Sequence, residues 1–167
     1  ISKLFTTTAI MMLYEQGNFR LEDPVAEHIP EFAVNGKSEV TIKQLLTHTS
    51  GFTSGIPIHL QPGDREDRIR MVLTHGLLNE PGTTYLYSDL NMITLGALIE
   101  HWSGMRQDQF VSRYITEPLG MKDTMYNPPA RLKHRIAATE FQANVDRGLV
   151  WGEVHDEKAW SMDGVAG

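Results

Sequence analysis

A chain of 167 residues with 41% hydrophobic and 22% charged residues has the length and composition of one folded domain, which excludes wholesale disorder. A net charge of −6 has the wrong sign for a surface that neutralises phosphates, so nucleic acid is not an expected partner. The absence of cysteine excludes disulfides, thiolate nucleophiles and thiolate metal sites together. The seven histidines form no i, i+4 pair with an intervening Glu, so no helical zinc site is expected. Apolar stretches such as 9–14 are too short to span a bilayer, and no basic region followed by an apolar run opens the chain.

Apolar or small residues at Leu4, Phe5, Thr8, Ala9, Met12 and Leu13 fall at helical spacing and predict a buried helix over 2–16, stopped by Gly17 and Asn18. The stretch 19–24 reads as an extended turn leading to a short segment that Pro30 ends. Thr41 is placed to cap a short helix over 42–48, which Thr49, Ser50 and Gly51 terminate. After a loop rich in Gly and Pro, Asp64 caps a helix running to about residue 75, with Ile69, Met71, Val72 and Leu73 as candidates for its buried side. Residues 80–83 force a turn and 85–89 are extended. Leu90, Ile93, Leu95, Leu98, Ile99 and Trp102 then mark a well-buried helix that ends at Ser103 and Gly104. A further amphipathic helix over 107–115 is stopped by Pro118 and Gly120, giving four or five helices before residue 122. The last third holds two candidate strands, 135–141 and 148–151. No repeat or linker divides the chain, so the expected architecture is one unit over 1–167, mainly α with a few short strands.

Three segments bear residues with chemical potential. The first, Ile1-Ser2-Lys3-Leu4-Phe5-Thr6-Thr7, has the form of the tail of a Ser-x-x-Lys motif, in which one helical turn sets an ammonium group beside a hydroxyl. The second, Gln44-Leu45-Leu46-Thr47-His48-Thr49-Ser50-Gly51-Phe52, is a short helix and turn. The third, Pro81-Gly82-Thr83-Thr84-Tyr85-Leu86-Tyr87-Ser88-Asp89-Leu90-Asn91, contains a Tyr-x-Asp element just before a helix. Taken alone, that element reads equally well as a buried tyrosine followed by an aspartate helix cap. In this order and at these separations, the three segments resemble the penicillin-binding-protein and serine β-lactamase superfamily, in its class C β-lactamase-like branch.

The resemblance implies the helical portion of an α/β transpeptidase-like fold. It also implies catalytic roles for Lys3, Tyr87 and Asp89, with Ser88 at the middle, substrate-facing position of the Tyr-x-Asn element. Asp89 stands where Asn is commoner. A carboxylate about 4 Å from an ammonium contributes roughly 4 kcal/mol at an effective dielectric of 20, which keeps Lys3 charged and makes it a poor base. Tyr87 is then the expected proton acceptor and Lys3 its electrostatic support. His48 is expected to hold position by hydrogen bonding rather than to move protons.

The tail 147–157, with Trp160 and residues 164–167, resembles a loop at the active-site rim of the same branch. Trp151, His155 and Asp156 are candidates to line a substrate groove, although His155 and Asp156 are also placed for a local hydrogen-bonded turn. With Lys3 as the motif lysine, the nucleophilic serine falls directly ahead of Ile1. Ser2 cannot replace it, being about 100° away around the helix. The family's third motif, a Lys- or His-x-Gly on a strand edge, is expected beyond residue 167. The implied activity is attack by serine on an amide or ester of a small molecule or peptide, as in a β-lactamase, a D-Ala-D-Ala carboxypeptidase or an esterase. Neither metal nor cofactor is implied, export is, and the chain 1–167 is expected to be inactive by itself. Its first helix is expected to leave apolar surface uncovered and to favour association. The rival expectation is a non-catalytic helical module that binds cell-wall peptide.

Overall fold

A computed structural model of the chain describes residues 1–165. Helix α1 (Ser2–Glu15) forms where apolar spacing predicts it, but its buried face is turned from the expected one: Thr6, Ala9, Ile10 and Leu13 are buried, whereas Leu4 and Thr8 are exposed. The Asn18 amide donates to the Leu13 carbonyl at 3.0 Å, closing the helix end beyond Gly17. Helix α2 (Val25–His28) is a single turn that the sequence did not mark, since four residues are too few for periodicity to register.

Thr41 and Gln44 form a reciprocal capping box at the start of α3 (Ile42–Leu46), and Asp64 and Asp67 do the same for α4 (Arg65–Leu73). Helix α3 is shorter than its predicted 42–48, because His48 adopts a left-handed φ of 56° that no α-helix continues through. Helix α5 (Asp89–Ser103) begins one residue earlier than expected and ends at Gly104, whose φ is 66°. Helix α6 (Gln107–Val111) widens into a π turn over Ser112–Thr116. The two strands, β1 (Ala138–Gln142) and β2 (Gly148–Trp151), pair antiparallel. A last turn, α7 (Glu157–Trp160), is capped by the Asp156 carboxylate, which accepts from the Ala159 N–H at 2.8 Å.

Helix α5 is the hub, with α1, α3, α4 and α6 packed around it. Leu90, Leu95, Leu98 and Ile99 meet Ile10, Ile42, Leu45, Phe52, Val72 and Phe110 in one buried cluster. Polar stitches cross this core. The buried Gln107 amide donates to Thr6 Oγ1 at 2.7 Å and to the Tyr126 hydroxyl at 3.2 Å, joining α6 to α1. It fits only because α5 has glycine at position 96, where a Cβ would come within 2.5 Å of the Gln107 carbonyl oxygen. Glu100 accepts from both the Arg65 guanidinium and the Gln107 N–H, tying α4, α5 and α6 together. Among the described residues the secondary structure is thus mainly α with two short strands, as the sequence predicts. No helix among the described residues is long and apolar enough to cross a membrane.

Candidate active site

The start of α1 and the start of α5 meet. Lys3, in the first turn of α1, places its Nζ 3.0 Å from Asp89 Oδ1 and 5.4 Å from the centre of the Tyr87 ring. It also interacts directly with the Tyr87 hydroxyl. The structure therefore brings Lys3, Tyr87 and Asp89 together, although Lys3 and Tyr87 lie 84 positions apart in the sequence. Asp89 sits in the first turn of α5, where the positive end of the helix favours a carboxylate.

The surroundings decide how this group titrates. Burial pulls the Lys3 ammonium towards neutrality, but the Asp89 carboxylate and then Tyr87 outweigh it, and the net effect is a raised pKa. For Asp89, burial works against ionisation, but hydrogen bonds from Lys158 and then Lys3 outweigh it and its pKa is lowered. Both partners are charged between the ordinary values of 3.8 and 10.5, so the pair is intact throughout that interval.

Both halves of the purely local reading of the Tyr-x-Asp element fail. Tyr87 is half exposed rather than buried. The cap of α5 is Ser88, whose Oγ accepts from the Leu90 N–H at 3.1 Å and donates to the Thr53 carbonyl at 2.6 Å. Asp89 is thereby left free to face Lys3. The same geometry corrects the substrate-facing expectation for Ser88, which is fully buried with its hydroxyl committed on both sides.

The Tyr87 turn is held from two loops. Its flanking N–H groups, on Leu86 and Asp89, donate to the carbonyls of His48 and Ser54 at 2.9 Å each. His48 Nδ1 accepts from the Ser88 N–H at 3.2 Å and lies 3.0 Å from the Asn91 amide nitrogen. Asn91 in turn accepts from the Ser50 hydroxyl at 2.6 Å. Nδ1 is an acceptor here, so any proton on the neutral ring is on Nε2. His48 thus positions the turn, and its ring stands 4.7 Å from that of Tyr87. Burial first and the Lys3 charge second lower its pKa, with Asp89 opposing.

Because the folded ring resists protonation, the unfolded chain binds the proton first as pH falls below 6.5. Stability from this contact is therefore full above 6.5 and declines as pH drops towards the depressed folded value. Replacing His48 by Ala is expected to cost about 1–3 kcal/mol by stranding two donors, whereas Asn, which tolerates the left-handed backbone and offers an acceptor, costs less. Denaturant titrations at pH 5 and pH 7.5 check both statements. The loss on acidification should shrink in either variant.

The rim expectation is only half met. Gly152, Glu153, Val154 and Asp156 line a cavity of about 610 Å³ that opens beside Ile1, Ser2, Lys3 and Asp89 and runs along apolar Phe5 and Ile93. Trp151 and His155, expected to line a groove, are turned elsewhere. The Trp151 indole donates to the Ile136 carbonyl at 2.6 Å and lies against Lys133, while His155 pairs with Glu140 at 2.9 Å. Of the local turn that the sequence also allowed, Asp156 makes its part by capping α7, whereas His155 reaches across to Glu140 on β1. Ala166 and Gly167, grouped with the rim loop in the sequence reading, lie outside the described residues.

One functional candidate went unmarked. Lys158 reaches Asp89 Oδ2 at 2.7 Å from the far side, so the carboxylate is clamped between two ammonium groups. No sequence pattern links a lysine on a one-turn helix to a residue 69 positions earlier.

The beta-lactamase family profile matches residues 1–165. The chain belongs to the beta-lactamase family. Among curated relatives of this family, a protein of Escherichia coli K12 provisionally named a D-alanyl-D-alanine carboxypeptidase is 32% identical over 193 aligned residues, covering 99% of this chain and 44% of that protein. The chain thus spans less than half the length of the curated relatives that it matches. Among solved structures, a penicillin-binding protein homologue from Caulobacter crescentus superposes with a TM-score of 0.67 at 24% identity, covering 84% of this chain and 39% of that one. A D-stereospecific amidohydrolase from Streptomyces superposes at 0.61 with 27% identity, covering 72% and 41%. The mainly helical architecture is consistent with a helical portion of the beta-lactamase family fold.

Proposed function

We propose that, in the full-length protein, this chain supplies the proton-handling half of a serine acyl hydrolase that cleaves an amide or ester, with a D-configured amide or peptide as the substrate class. The observation that carries the reading is the convergence of Lys3, Tyr87 and Asp89 at the N-terminal ends of two helices. The nucleophile is a serine directly ahead of Ile1, one helical turn from Lys3. Acting as a phenolate beside the Lys3 ammonium, Tyr87 takes the serine proton as the serine oxygen bonds to the substrate carbonyl carbon; the phenol so formed then gives that proton to the departing amine or alcohol as the carbon–nitrogen or carbon–oxygen bond breaks. Lys3 remains an ammonium throughout, since Asp89 holds it charged, and it stabilises negative charge on the oxygens. Water repeats the sequence to release the acyl group. The D-configured preference rests on the names of the similar carboxypeptidase and amidohydrolase.

The test is covalent. Full-length protein incubated with a fluorophosphonate or a fluorescent penicillin should take up label on the serine preceding Ile1, and the polypeptide 1–167 should take up none. A panel of a chromogenic cephalosporin, a short-chain p-nitrophenyl ester and a D-Ala-D-Ala peptide then separates the substrate classes. Label on Ser2, or D-Ala-D-Ala peptide bound by the full-length protein without turnover of any substrate, would overturn the reading. The second outcome would leave a non-catalytic peptide-binding module.

A further inference from the structure

The clamp on Asp89 has an electrical consequence. Oδ1 faces Lys3 at 3.0 Å and Oδ2 faces Lys158 at 2.7 Å, so one carboxylate is shared between two ammonium groups and the trio carries one net positive charge. Each of the three side chains is roughly a quarter exposed, which leaves their mutual fields only partly screened by water. Lys158 is placed for this by α7, whose start is fixed by the Asp156 cap. The loop through Gly55 runs close over the pair: a Cβ there would lie 3.5 Å from Lys158 Nζ and 3.7 Å from Asp89 Oδ2. A second hollow is lined by Ser54, Pro57, His59 and Tyr87, with Asp89 and Lys158 shared between it and the cavity beside Lys3.

We infer that Lys158 is a positioning residue for the proton-transfer step, acting through Asp89 to fix its orientation and to keep a net cation beside Tyr87 and Lys3. The inference rests on the hydrolase reading above. The charged and titratable groups facing the clamp are Lys3 from α1, Tyr87 and His48 from the turn and loop, His59 from the short helical turn Ile58–Leu60, and Asp156 beside Lys158 itself. Asp156 is the only carboxylate among these, and it is engaged at the α7 cap.

The sign of the effect does not depend on whether Tyr87 or Lys3 takes the serine proton. A neighbouring cation favours the deprotonated form of either group, and with Lys158 neutralised the whole Asp89 charge turns onto Lys3. Lys158→Gln retains a donor for Oδ2 but removes the charge. In the full-length enzyme, the acid limb of the kcat/KM profile is expected to move to higher pH by about half a unit to one unit, with Lys158→Arg restoring the wild-type midpoint. An acid limb unmoved in Lys158→Gln, whatever the height of the plateau, overturns the inference. Should Lys158→Gln fold poorly, Lys158→Met with the same profile serves. Failure of the hydrolase reading looks different, because the wild-type full-length protein would then show neither label nor turnover.

Discussion

Tyr87→Phe in the full-length enzyme is expected to lower kcat by about 10²–10⁴-fold, the range that a positioned proton-transfer group contributes, with little change in KM. Asp89→Asn is expected to cost less, roughly tenfold, since the amide oxygen still accepts from Lys3 while the ionic partner is lost. This order follows from the charge on Lys3. Asp89 and Tyr87 outweigh burial and hold the ammonium protonated, so Lys3 has no lone pair to accept a proton near neutrality. Steady-state kinetics with an ester substrate checks the order. If Asp89→Asn proved the more damaging, Lys3 rather than Tyr87 would be the group whose protonation state governs the rate.

The second large effect is expected at a residue that touches no substrate. Gly51 has a φ of 91°, and a Cβ at that position would run into the backbone carbonyl of Asn79. Its own carbonyl accepts from the N–H groups of Leu78 and Asn79 at 2.8 and 3.0 Å, so neither strand of this contact can retreat without breaking the other's hydrogen bonds. Gly51→Ala should therefore destabilise the protein by about 3 kcal/mol, combining backbone strain with a collision that only main-chain movement relieves. Gly17→Ala is the control. Its φ is 78°, but nothing lies within 4 Å of the added methyl, so only the strain of about 1–2 kcal/mol applies. Denaturant midpoints of the two variants separate these contributions. Activity should fall with stability at Gly51, because the same loop carries His48 and Ser50 to the Tyr87 turn.

The legibility of the fold followed the strength of its local signals. Helices α1 and α5 are long with apolar residues at helical spacing, each is followed by a glycine stop, and α5 has a serine cap in the adjacent residue. The one-turn helices α2 and α7 carry too few residues for any period to show, and α3 was overextended because nothing local announces the left-handed backbone at His48. The site divides along the same line. Lys3, Tyr87 and Asp89 were legible because each belongs to a segment with its own spacing. Lys158 was not, because its place is set by how the tail folds back across the start of α5. The directions of Trp151 and His155 were also set by partners remote from any motif, Ile136 and Glu140.

Ser88 differs from these, because the information was present and pointed the other way. Residues in an extended segment alternate sides, so outward Tyr87 and Asp89 require an inward residue between them. A serine directly ahead of an apolar helix is also a favoured cap.

A library randomised at position 88 would consequently sample protein yield instead of selectivity. Thr, Asn and Asp would survive according to how well they cover the exposed amides of the following turn, and bulky replacements would be lost before any catalyst could be assayed. Changes in selectivity should be sought among side chains that border open space, such as Ile93 and Val154.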